Sequence, residues 1–509
     1  MMIKVILLVI FFALMVAVGI YSRKHAMSVD GFVLGGRSVG PWLTAFAYGT
    51  SYFSAVVFVG YAGQFGWKYG LASTWIGIGN AVIGSLMAWV VLGRRTKVMT
   101  QYLNSKTMPD FFGSRYGSKP LKIAASAIVF VFLVPYTASI YNGLSRLFEM
   151  AFHIPYAWCV IGMAVFTGIY VILGGYMATA INDFIQGIIM LAGIIVVIAA
   201  VLNGQGGFLE AVGKMAEIPS DVEITLGQPG AFTSFFGPDP GNLLGVVILT
   251  SLGTWGLPQM IGKFYAIKDE KSINTGTVIS TVFAIVVSGG CYFLGGFARL
   301  FDAPAIYDEA GAVVYDSIIP HMLSALPDIL IGIVVVLVLS ASMSTLASLV
   351  LTSSSTLTLD FLKDNLLKEM SEKRQVRTMQ ALVIFFIAVS VFIALDPPTF
   401  IAQLMGISWG ALAGAFLAPF LYGLYWKGTT RAGVWASFIV GVGITVVNMF
   451  MPFIESSINA GAAAMVAGLI VVPVVSLITP KLSREKTDTI FSCYEEKVTI
   501  TKKRSLEQN

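Results

Sequence analysis

Cysteine and histidine are scarce in this chain of 509 residues. Of its three cysteines, Cys159 and Cys291 fall in long apolar stretches and Cys493 lies near the carboxyl terminus. They offer no disulfide framework and no metal-ligand spacing. The three histidines are also far apart, at positions 25, 153 and 321. Without a metal cluster or a nucleophile with its base, a membrane-embedded enzyme is disfavoured.

Charge is scarce too. Charged residues make up 12% of the chain and hydrophobic residues 56%, with a mean hydropathy of +0.82, whereas soluble domains carry about 25% charged residues. This composition excludes a soluble protein and predicts one that crosses the lipid bilayer many times. Stretches long enough to cross a bilayer, roughly 20 residues each, number thirteen: 3–21, 40–65, 73–92, 121–145, 156–173, 181–202, 242–262, 276–298, 329–352, 379–395, 400–425, 432–450 and 462–479.

Positive charge is confined to alternate loops. Of the 32 basic residues, 27 lie in the segments 22–39, 93–122, 263–275, 360–378, 426–431 and 480–509, which predicts that these segments face the cytoplasm. The net charge of +5 follows from this sidedness and does not indicate nucleic-acid binding. The first span lacks a small-residue cleavage site, so we expect a retained helix. An odd number of spans then predicts an outer amino terminus and a cytoplasmic carboxyl terminus.

Two spans contain a Gly-Thr interruption, at Gly49-Thr50-Ser51 and at Gly253-Thr254-Trp255-Gly256. Glycine and hydroxyl residues in mid-membrane predict an unwound stretch whose carbonyls line a cavity and bind an ion. With 3–21 set aside as an extra helix, the next ten spans are core helices 1 to 10, and the breaks fall in core helices 1 and 6. These helices lead two five-helix units, which predicts an inverted repeat with solute and ion at its centre.

The chain shows no composition shift that would divide it into domains. We therefore expect one transmembrane domain over residues 1–480, with core repeats at about 40–202 and 242–425 and additional helices within 432–479. The remaining segment, 481–509, is polar and mixed in charge. Its composition is typical of a solvated cytoplasmic tail.

Core helix 8 gathers hydroxyl groups on one face. Ser340, Ser344 and Ser348 are four residues apart and therefore share a stripe, with Thr345 beside it. Hydroxyls together with unwound carbonyls are suitable ligands for a hard cation such as sodium and add no buried charge. Small hydroxyl residues also let membrane helices pack closely, so the stripe alone leaves both interpretations open. The break in core helix 1 favours the ion site.

Six short motifs follow one another over nearly the whole chain: Gly35-Gly36-Arg37-Ser38-Val39-Gly40-Pro41; Arg146-Leu147-Phe148-Glu149; Gly174-Gly175-Tyr176 with Asp183-Phe184-Ile185-Gln186; Gly256-Leu257-Pro258 with Lys263-Phe264; Met343-Ser344-Thr345-Leu346; and Gly423-Leu424-Tyr425-Trp426-Lys427 with Thr429-Thr430-Arg431-Ala432-Gly433. With these motifs the chain resembles the sodium/solute symporter family of proline, pantothenate, monocarboxylate, sialic acid and sugar transporters. The resemblance implies an all-α membrane protein of the LeuT type, with an inverted five-plus-five repeat and broken core helices 1 and 6. It also implies sodium-coupled import of a small organic solute by alternating access.

Carried over residue by residue, the resemblance implies a sodium site made of backbone carbonyls and hydroxyls, from Thr50, Phe53, Ala341, Ser344 and Thr345. The acid that matches Asp183 lies near the ion path in the family or holds a further sodium in some members. As a plain helix-end charge, Asp183 would instead stabilise the start of core helix 5, and we keep both interpretations. Ser348 is a second candidate for a further ion, but Ala347 stands where another hydroxyl is wanted, so we expect one sodium per cycle.

The resemblance places the solute pocket on core helices 1, 3, 6 and 10, at Ser54, Val57, Tyr136, Thr254, Trp255, Pro258 and Gln403. Tyr136 could equally be a packing aromatic. Proline members have an aspartate where this chain has Tyr52, and sugar members have polar residues where it has Val57 and Thr74, which leaves few partners for a polyol. Pantothenate carriers are similar at Lys68-Tyr69-Gly70-Leu71 and Asp269. A small solute with a carboxylate is therefore expected: a monocarboxylate, pantothenate, or an amino acid such as proline.

Other functions remain open as alternatives. A transporter-like sensor would need an output domain, and the segment after Pro480 is too short to fold alone. A channel would need a continuous polar pore face, whereas polarity here is concentrated at the two breaks. A sugar or sialic acid symporter would differ only in solute. The expected partners are sodium, a solute and the bilayer.

Overall fold

Helices make up most of the chain in the computed structural model, which describes residues 2–363, 366, 367 and 369–495. The helices of the first half are Met2–Ser22, Arg23–Ala26, Val29–Leu34, Gly35–Arg37, Pro41–Thr50, Val56–Tyr61, Ala62–Tyr69, Gly70–Ser73, Thr74–Gly79, Asn80–Met87, Trp89–Gly93, Arg94–Tyr102, Met108–Tyr116, Lys119–Phe152, Tyr156–Gly204, Phe208–Glu217, Glu223–Thr225 and Ala231–Thr233. Those of the second half are Pro240–Leu252, Gly253–Trp255, Pro258–Ala266, Glu270–Ala284, Ile285–Gly289, Gly290–Gly295, Ala298–Phe301, Pro304–Ile306, Tyr315–Ser324, Asp328–Thr356, Leu357–Leu362, Glu372–Leu395, Ile401–Tyr425, Arg431–Phe450, Ser457–Ile478 and Arg484–Phe491.

Eleven helices in the described residues are long and apolar enough to cross a membrane. Two of them, Val56–Tyr102 and Tyr156–Gly204, are 47 and 49 residues long, about twice what a bilayer requires. Each contains one glycine with a positive φ: Gly70 at φ 59° and ψ −140°, and Gly175 at φ 54° and ψ −148°. Such a backbone favours glycine because it lacks a Cβ. Thirteen spans would result if each long helix is divided at its glycine, and that number remains a prediction.

Several helices begin at a side chain that caps them. The hydroxyl or carboxylate of Ser118, Asp239, Asp269, Thr430 and Ser456 accepts the backbone N–H three residues further on, which satisfies one donor that has no partner inside the helix. At Asp269 the N–H of Ser272 donates at 2.8 Å. This bond to the charged form, together with the Ser272 hydroxyl, lowers the pKa of the Asp269 carboxyl.

Core helices 1 and 6 are broken, as the Gly-Thr interruptions predicted. The first half of core helix 1, Pro41–Thr50, ends before residues 51–54, which are not helical, and the helix resumes at Ala55. Core helix 6 runs over Pro240–Leu252, passes through a tight turn at Gly253–Trp255 and resumes at Pro258–Ala266. Core helix 8, Asp328–Thr356, packs against core helix 5, core helix 3 and the first half of core helix 1. The core helix 1 break therefore faces a long unbroken helix.

A short helix, Tyr315–Ser324, which we call the lid helix, packs against the outer half of core helix 1 and against core helix 3. Its Asp316 carboxylate accepts the N–H of Ile401, the first residue of core helix 10, at 3.2 Å. Burial raises the pKa of Asp316 to about 6 although this bond opposes the shift. The first turn of the lid helix is thus hydrogen-bonded to the N-terminus of core helix 10.

The start of the first helix and the acidic loop before core helix 8 are neighbours. Lys4 Nζ lies 2.8 Å from Asp328 Oδ1. The chain start and this loop are therefore on the same side, as the predicted sidedness requires. Which side of the membrane that is remains a prediction from the distribution of basic residues.

The segment after the last span is not free in solvent. Residues 484–495, which we call the carboxyl-terminal strap, begin with a helix and pack on the predicted cytoplasmic face. The Arg95 guanidinium lies 4.1 Å from the Tyr425 ring centroid and 4.6 Å from that of Tyr494, and Lys427 pairs with Asp488 at 2.6 Å. A solvated tail, predicted from composition, is therefore wrong for 484–495, because these rings and charges find partners on distant loops. Residues 496–509 of the predicted tail lie outside the described residues.

Candidate functional site

Five oxygen atoms meet where the core helix 1 break faces core helix 8. The Thr345 hydroxyl oxygen lies 3.2 Å from the Thr50 carbonyl, 3.0 Å from that of Phe53 and 3.1 Å from that of Ala341. The Ser344 hydroxyl lies 2.9 Å from the carbonyls of both Thr50 and Ala341. These five residues are the predicted sodium ligands, and the structure brings them together. We call them the five-oxygen cluster.

The chemistry of this cluster suits a cation. Thr50, Ser344 and Thr345 have no solvent exposure, and every group is neutral. Two hydroxyls supply only two protons, whereas the three carbonyls and two hydroxyls together carry many more lone pairs. The break also removes helix partners, since the N–H of Val57 donates to Ser54 instead of Phe53. The cluster therefore holds an excess of partial negative charge without a formal charge, which is the donor set a hard monovalent cation requires.

Further serine residues fasten the break to core helix 8. The Ser342 hydroxyl accepts the N–H of Ala55 at 3.0 Å, and the hydroxyls of Ser51 and Ser348 lie 2.8 Å apart. Ser340, a turn earlier on the same stripe, is buried and has no hydrogen-bond partner among the described residues. The hydroxyl stripe therefore serves both packing and the cluster, at different positions.

Asp183 lies inside core helix 5, opposite a lysine. It is seven residues past Tyr176, where the helix resumes after Gly175, so it is about two turns from that start. Its carboxylate is fully buried, with Oδ2 at 3.8 Å from the ammonium of Lys263 on core helix 6. This geometry disfavours a helix-end charge and makes Asp183 an intramembrane acid with a cationic partner.

Lys263 connects this acid to both broken helices. Its ammonium donates to the Ser348 hydroxyl at 2.9 Å and lies 5.2 Å from the centroid of the Tyr176 ring. Through the contact of Ser348 with Ser51, the inner half of core helix 6 is joined to the break in core helix 1. We call Asp183, Lys263, Ser348 and Ser51 the polar link. The sequence analysis counted Lys263 among the basic residues of the segment 263–275, whereas the structure buries it inside the helix Pro258–Ala266, and its partner could not be identified without the fold.

A small cavity of about 40 Å³ lies below the polar link, on the side of the basic loops. Tyr176, Lys263 and Ser348 line it together with Pro258. Since one water needs roughly 10–15 Å³ measured in this way, the cavity has room for a few waters and not for an organic solute. Pro258, a predicted solute residue, lies here and apart from the other predicted solute residues on core helices 1 and 3.

Ser54, Val57 and Tyr136 lie close to one another beside the core helix 1 break. Ser54 neighbours Tyr136, and Val57 follows one turn after Ser54 and is buried. The Tyr136 ring meets the edge of Trp409 with centroids 5.9 Å apart. The Tyr136 hydroxyl and the Trp409 indole N–H are buried without a partner that meets hydrogen-bond geometry among the described residues. The sequence analysis missed Trp409, although a lone tryptophan among small residues in core helix 10 is a usable signal.

At the core helix 6 break, the predicted solute residues form hydrogen bonds to backbone carbonyls. The Thr254 hydroxyl donates to the carbonyls of Gly84 at 3.1 Å and Ser251 at 2.9 Å, and the Trp255 indole N–H donates to the carbonyl of Ile83 at 2.9 Å. These polar atoms are therefore engaged with core helices 2 and 6. Gln403 accepts the hydroxyl of Thr399 and lies in an outer cavity. Solute contacts at Thr254, Trp255 and Gln403 stay predictions.

That outer cavity, the vestibule, has a volume of about 640 Å³, within the range of small-molecule sites. It is lined by the outer half of core helix 1, by the lid helix and by the loop before the last span, with Gln64, Lys68, Tyr315, Gln403 and Glu455 among its walls. It is far larger than the cavity on the side of the basic loops. The structure therefore offers solute-sized space on the side opposite the basic loops, which is the predicted outer side.

Comparisons with known proteins show the family and the fold of this chain. The sequence model of the sodium:solute symporter family matches residues 32–441. Sodium/proline symporters of Staphylococcus aureus, from strains JH9 and NCTC 8325 among others, are 29% identical over 500 residues, covering 94% of this chain and 93% of the relative.

Two solved structures share the fold. A sodium-coupled sialic acid symporter in a substrate-bound outward-open state superposes with a TM-score of 0.76 at 14% identity, covering 95% of this chain and 99% of that one. The nucleobase-cation-symport transporter Mhp1 superposes with a TM-score of 0.51 at 14% identity, covering 91% and 98%. At such identity the likeness concerns the fold, which is of the LeuT type.

Proposed function

The chain belongs to the sodium:solute symporter family, a family of transporters and not of enzymes, and from this premise we propose that it imports a small carboxylate-bearing solute together with sodium bound in the five-oxygen cluster. The observation that carries the proposal is the convergence of three carbonyls and two hydroxyls from core helices 1 and 8. Asp183 and Ser348 belong to the polar link and are not ligands in this proposal, so one sodium moves per cycle.

Coupling follows from the position of the cluster. Its oxygens come from the broken core helix 1 and the unbroken core helix 8, so a sodium bound there holds the two helices together. If these helices separate when the protein opens inward, sodium affinity differs between the two states, and that difference biases the equilibrium. The membrane potential adds roughly 2.3 kcal/mol per charge per 100 mV in favour of inward movement of the cation.

The solute pocket in this proposal lies beside the break, where Ser54, Tyr136 and Trp409 meet. The backbone N–H groups of Phe53 and Ser54 have no backbone acceptor among the described residues, and such groups bind carboxylates. The aromatic walls suit an apolar body. Homology to sodium/proline symporters supports an amino or imino acid, while Tyr52, which donates to the Thr250 carbonyl at 2.9 Å, replaces the aspartate of proline members.

The proposal is tested by thermal unfolding of the purified protein with and without sodium, in the presence of proline, other amino acids, pyruvate, pantothenate, sialic acid or glucose. Only a ligand that binds the folded state stabilises it, by about 2.7 kcal/mol at a hundredfold excess over its dissociation constant. We expect stabilisation by a carboxylate-bearing solute that requires sodium and is not reproduced with potassium. Stabilisation by a solute irrespective of sodium would contradict the five-oxygen cluster as the coupling site.

The charge of the solute determines how much net charge crosses the membrane in each transport cycle. With one sodium, uptake of a zwitterion moves one net charge, whereas uptake of a monovalent anion moves none. Uptake into proteoliposomes with an imposed inside-negative potential separates these cases, since only the first is accelerated by it.

A further inference from the structure

The outer half of core helix 1 presents polar side chains to the vestibule. Gln64 and Lys68 are four residues apart in the α-helical segment Ala62–Tyr69 and therefore share one face. Gln64 and Lys68 both line the vestibule. Gln64 is only 3% exposed, and its amide oxygen has no hydrogen-bond partner among the described residues. A buried acceptor without a partner is costly, which points to a ligand that donates a hydrogen bond.

Lys68 is unusual for its side of the membrane. It is one of five basic residues outside the predicted cytoplasmic segments. Its ammonium lies 5.3 Å from the centroid of the Tyr315 ring on the lid helix, and among the described residues it forms no ion pair with Glu455 or Asp239, which line the same cavity. The ammonium is thus held at the cavity wall by an aromatic face and keeps its hydrogen-bond donors for another group.

The charged residues of the vestibule are of two kinds: engaged ones, which take part in an ion pair or a helix cap, and open ones, which do not. Arg299 and Asp221 pair at 2.6 Å, and Asp239 caps its helix by accepting the N–H of Asn242 at 3.1 Å. Lys68 and Glu455 take part in neither an ion pair nor a helix cap among the described residues. A solute that enters the vestibule therefore meets one open positive group and one open negative group.

We propose that the vestibule holds an outer solute site in which Lys68 binds a carboxylate, while the Gln64 amide oxygen and Glu455 face a cationic amine. The Lys68 ammonium donates, as a carboxylate requires, and the amide oxygen of Gln64 and the carboxylate of Glu455 accept, as an amine requires. The lining residues carry two positive and three negative charges, so a lone anion is disfavoured and a zwitterion suits the site. This inference rests on the proposed function and narrows its solute to an amino or imino acid.

The first test is sodium-driven uptake of L-proline, pantothenate and pyruvate into proteoliposomes. Lys68→Ala should raise the KM for L-proline about 5- to 10-fold with little change in kcat, as expected for loss of one partly exposed charge-assisted bond. Lys68→Arg should keep the KM for L-proline close to that of the parent. Lys214→Ala, a predicted outer lysine paired with Glu210 outside the vestibule, is the matched control and should change nothing. An unchanged KM in Lys68→Ala would overturn the site.

Glu455 has a separate test in the same assay. Glu455→Gln should raise the KM for L-proline and lower that for pantothenate, which has a carboxylate but no amine, so that the ratio of the two shifts about fivefold or more. A constant ratio would overturn the assignment to a zwitterion.

If the wild-type protein takes up none of the three solutes, the proposed function fails, and the outer site is judged by labelling. In the Gln64→Cys protein, whose native cysteines are buried, an anionic sulfonatoethyl methanethiosulfonate should react faster relative to its cationic trimethylammonioethyl analogue. Adding Lys68→Gln should reduce that ratio about fivefold or more. An unchanged ratio would show that Lys68 attracts no anion there and would overturn the site.

Discussion

The two helix breaks carry similar sequences and are built differently. At the core helix 1 break, the carbonyls of Thr50 and Phe53 accept hydroxyls from core helix 8. At the core helix 6 break, Thr254 and Trp255 donate to carbonyls of core helix 2, and Gly256 packs against the backbone of core helix 10. The first break offers acceptors to an exchangeable partner, and the second is closed by donors of its own.

The difference teaches that a Gly-Thr break becomes an ion site through the element that faces it. Core helix 8 brings hydroxyls, which can turn their protons away and present oxygen to a cation. Core helix 2 brings backbone carbonyls at Gly84 and Ile83, which need the hydrogens that Thr254 and Trp255 supply. The second break is therefore a fixed contact between core helices 6 and 2, which we call the joint. The first break is a binding site in our proposal.

The largest effect is expected where the polar link joins the two breaks. Asp183→Asn leaves the buried Lys263 ammonium without a charged partner, and such losses cost about 3–5 kcal/mol of stability. The double variant Asp183→Asn with Lys263→Met removes both charges and should recover most of it, as measured by thermal unfolding. An Asp183→Asn protein as stable as the parent would contradict the link. A raised sodium requirement in the stable double variant would place Asp183 on the ion path.

The next largest effect is expected from glycine substitutions, which test how tightly each break is packed. A Cβ at position 256 would lie 2.7 Å from Ala413 Cα and 2.9 Å from the Leu417 nitrogen, whereas at position 49 its three nearest atoms would all belong to the Phe283 ring, the first at 2.5 Å. Backbone cannot yield and a ring can rotate, so Gly256→Ala should cost about 3 kcal/mol and Gly49→Ala about 1 kcal/mol. Thermal unfolding of the two variants side by side makes the comparison, and equal losses would show that the second break is no more rigid than the first.

The ion preference of the breaks is tested with matched threonines. Thr345→Ala removes one oxygen of the five-oxygen cluster and should raise the sodium concentration for half-maximal uptake about 10- to 30-fold, corresponding to about 1.4–2 kcal/mol. Thr345→Ser should behave like the parent. Thr254→Ala should leave the sodium requirement within about twofold, because its hydroxyl serves core helix 2. Equal shifts at both threonines would remove the distinction.

The smallest effect is expected at Trp255. Trp255→Phe keeps an aromatic ring and loses the indole bond to Ile83, which should cost about 1 kcal/mol of stability with no change in sodium dependence. Trp255→Ala should in addition shift the relative uptake of proline and pantothenate if the ring borders the solute. A solute profile that stays the same in Trp255→Ala would assign the residue to the joint alone.

Local signals predicted the breaks, because glycine and hydroxyl residues in a membrane helix have few structural alternatives. The resemblance supplied the residues of the five-oxygen cluster, and the fold brings them together. The pairing of Asp183 with Lys263 could not be predicted, since it depends on how core helices 5, 6 and 8 meet. Trp409 was missed because its partners Tyr136 and Tyr52 lie on other helices. The carboxyl-terminal strap was predicted as solvated because its partners, Arg95 and Lys427, are remote in sequence.

The carboxyl-terminal strap offers a position for a fluorescent probe. Its ring at Tyr494 and the ring of Tyr425 enclose Arg95, which belongs to the helix that follows core helix 2, while Thr489 on the same strap is exposed. An environment-sensitive dye attached at position 489 would sit on a segment that contacts both the helix after core helix 2 and the end of core helix 10. Any sliding between those two helices would then be recorded as a change of fluorescence, without a radioactive solute and without disturbing the interior of the bilayer.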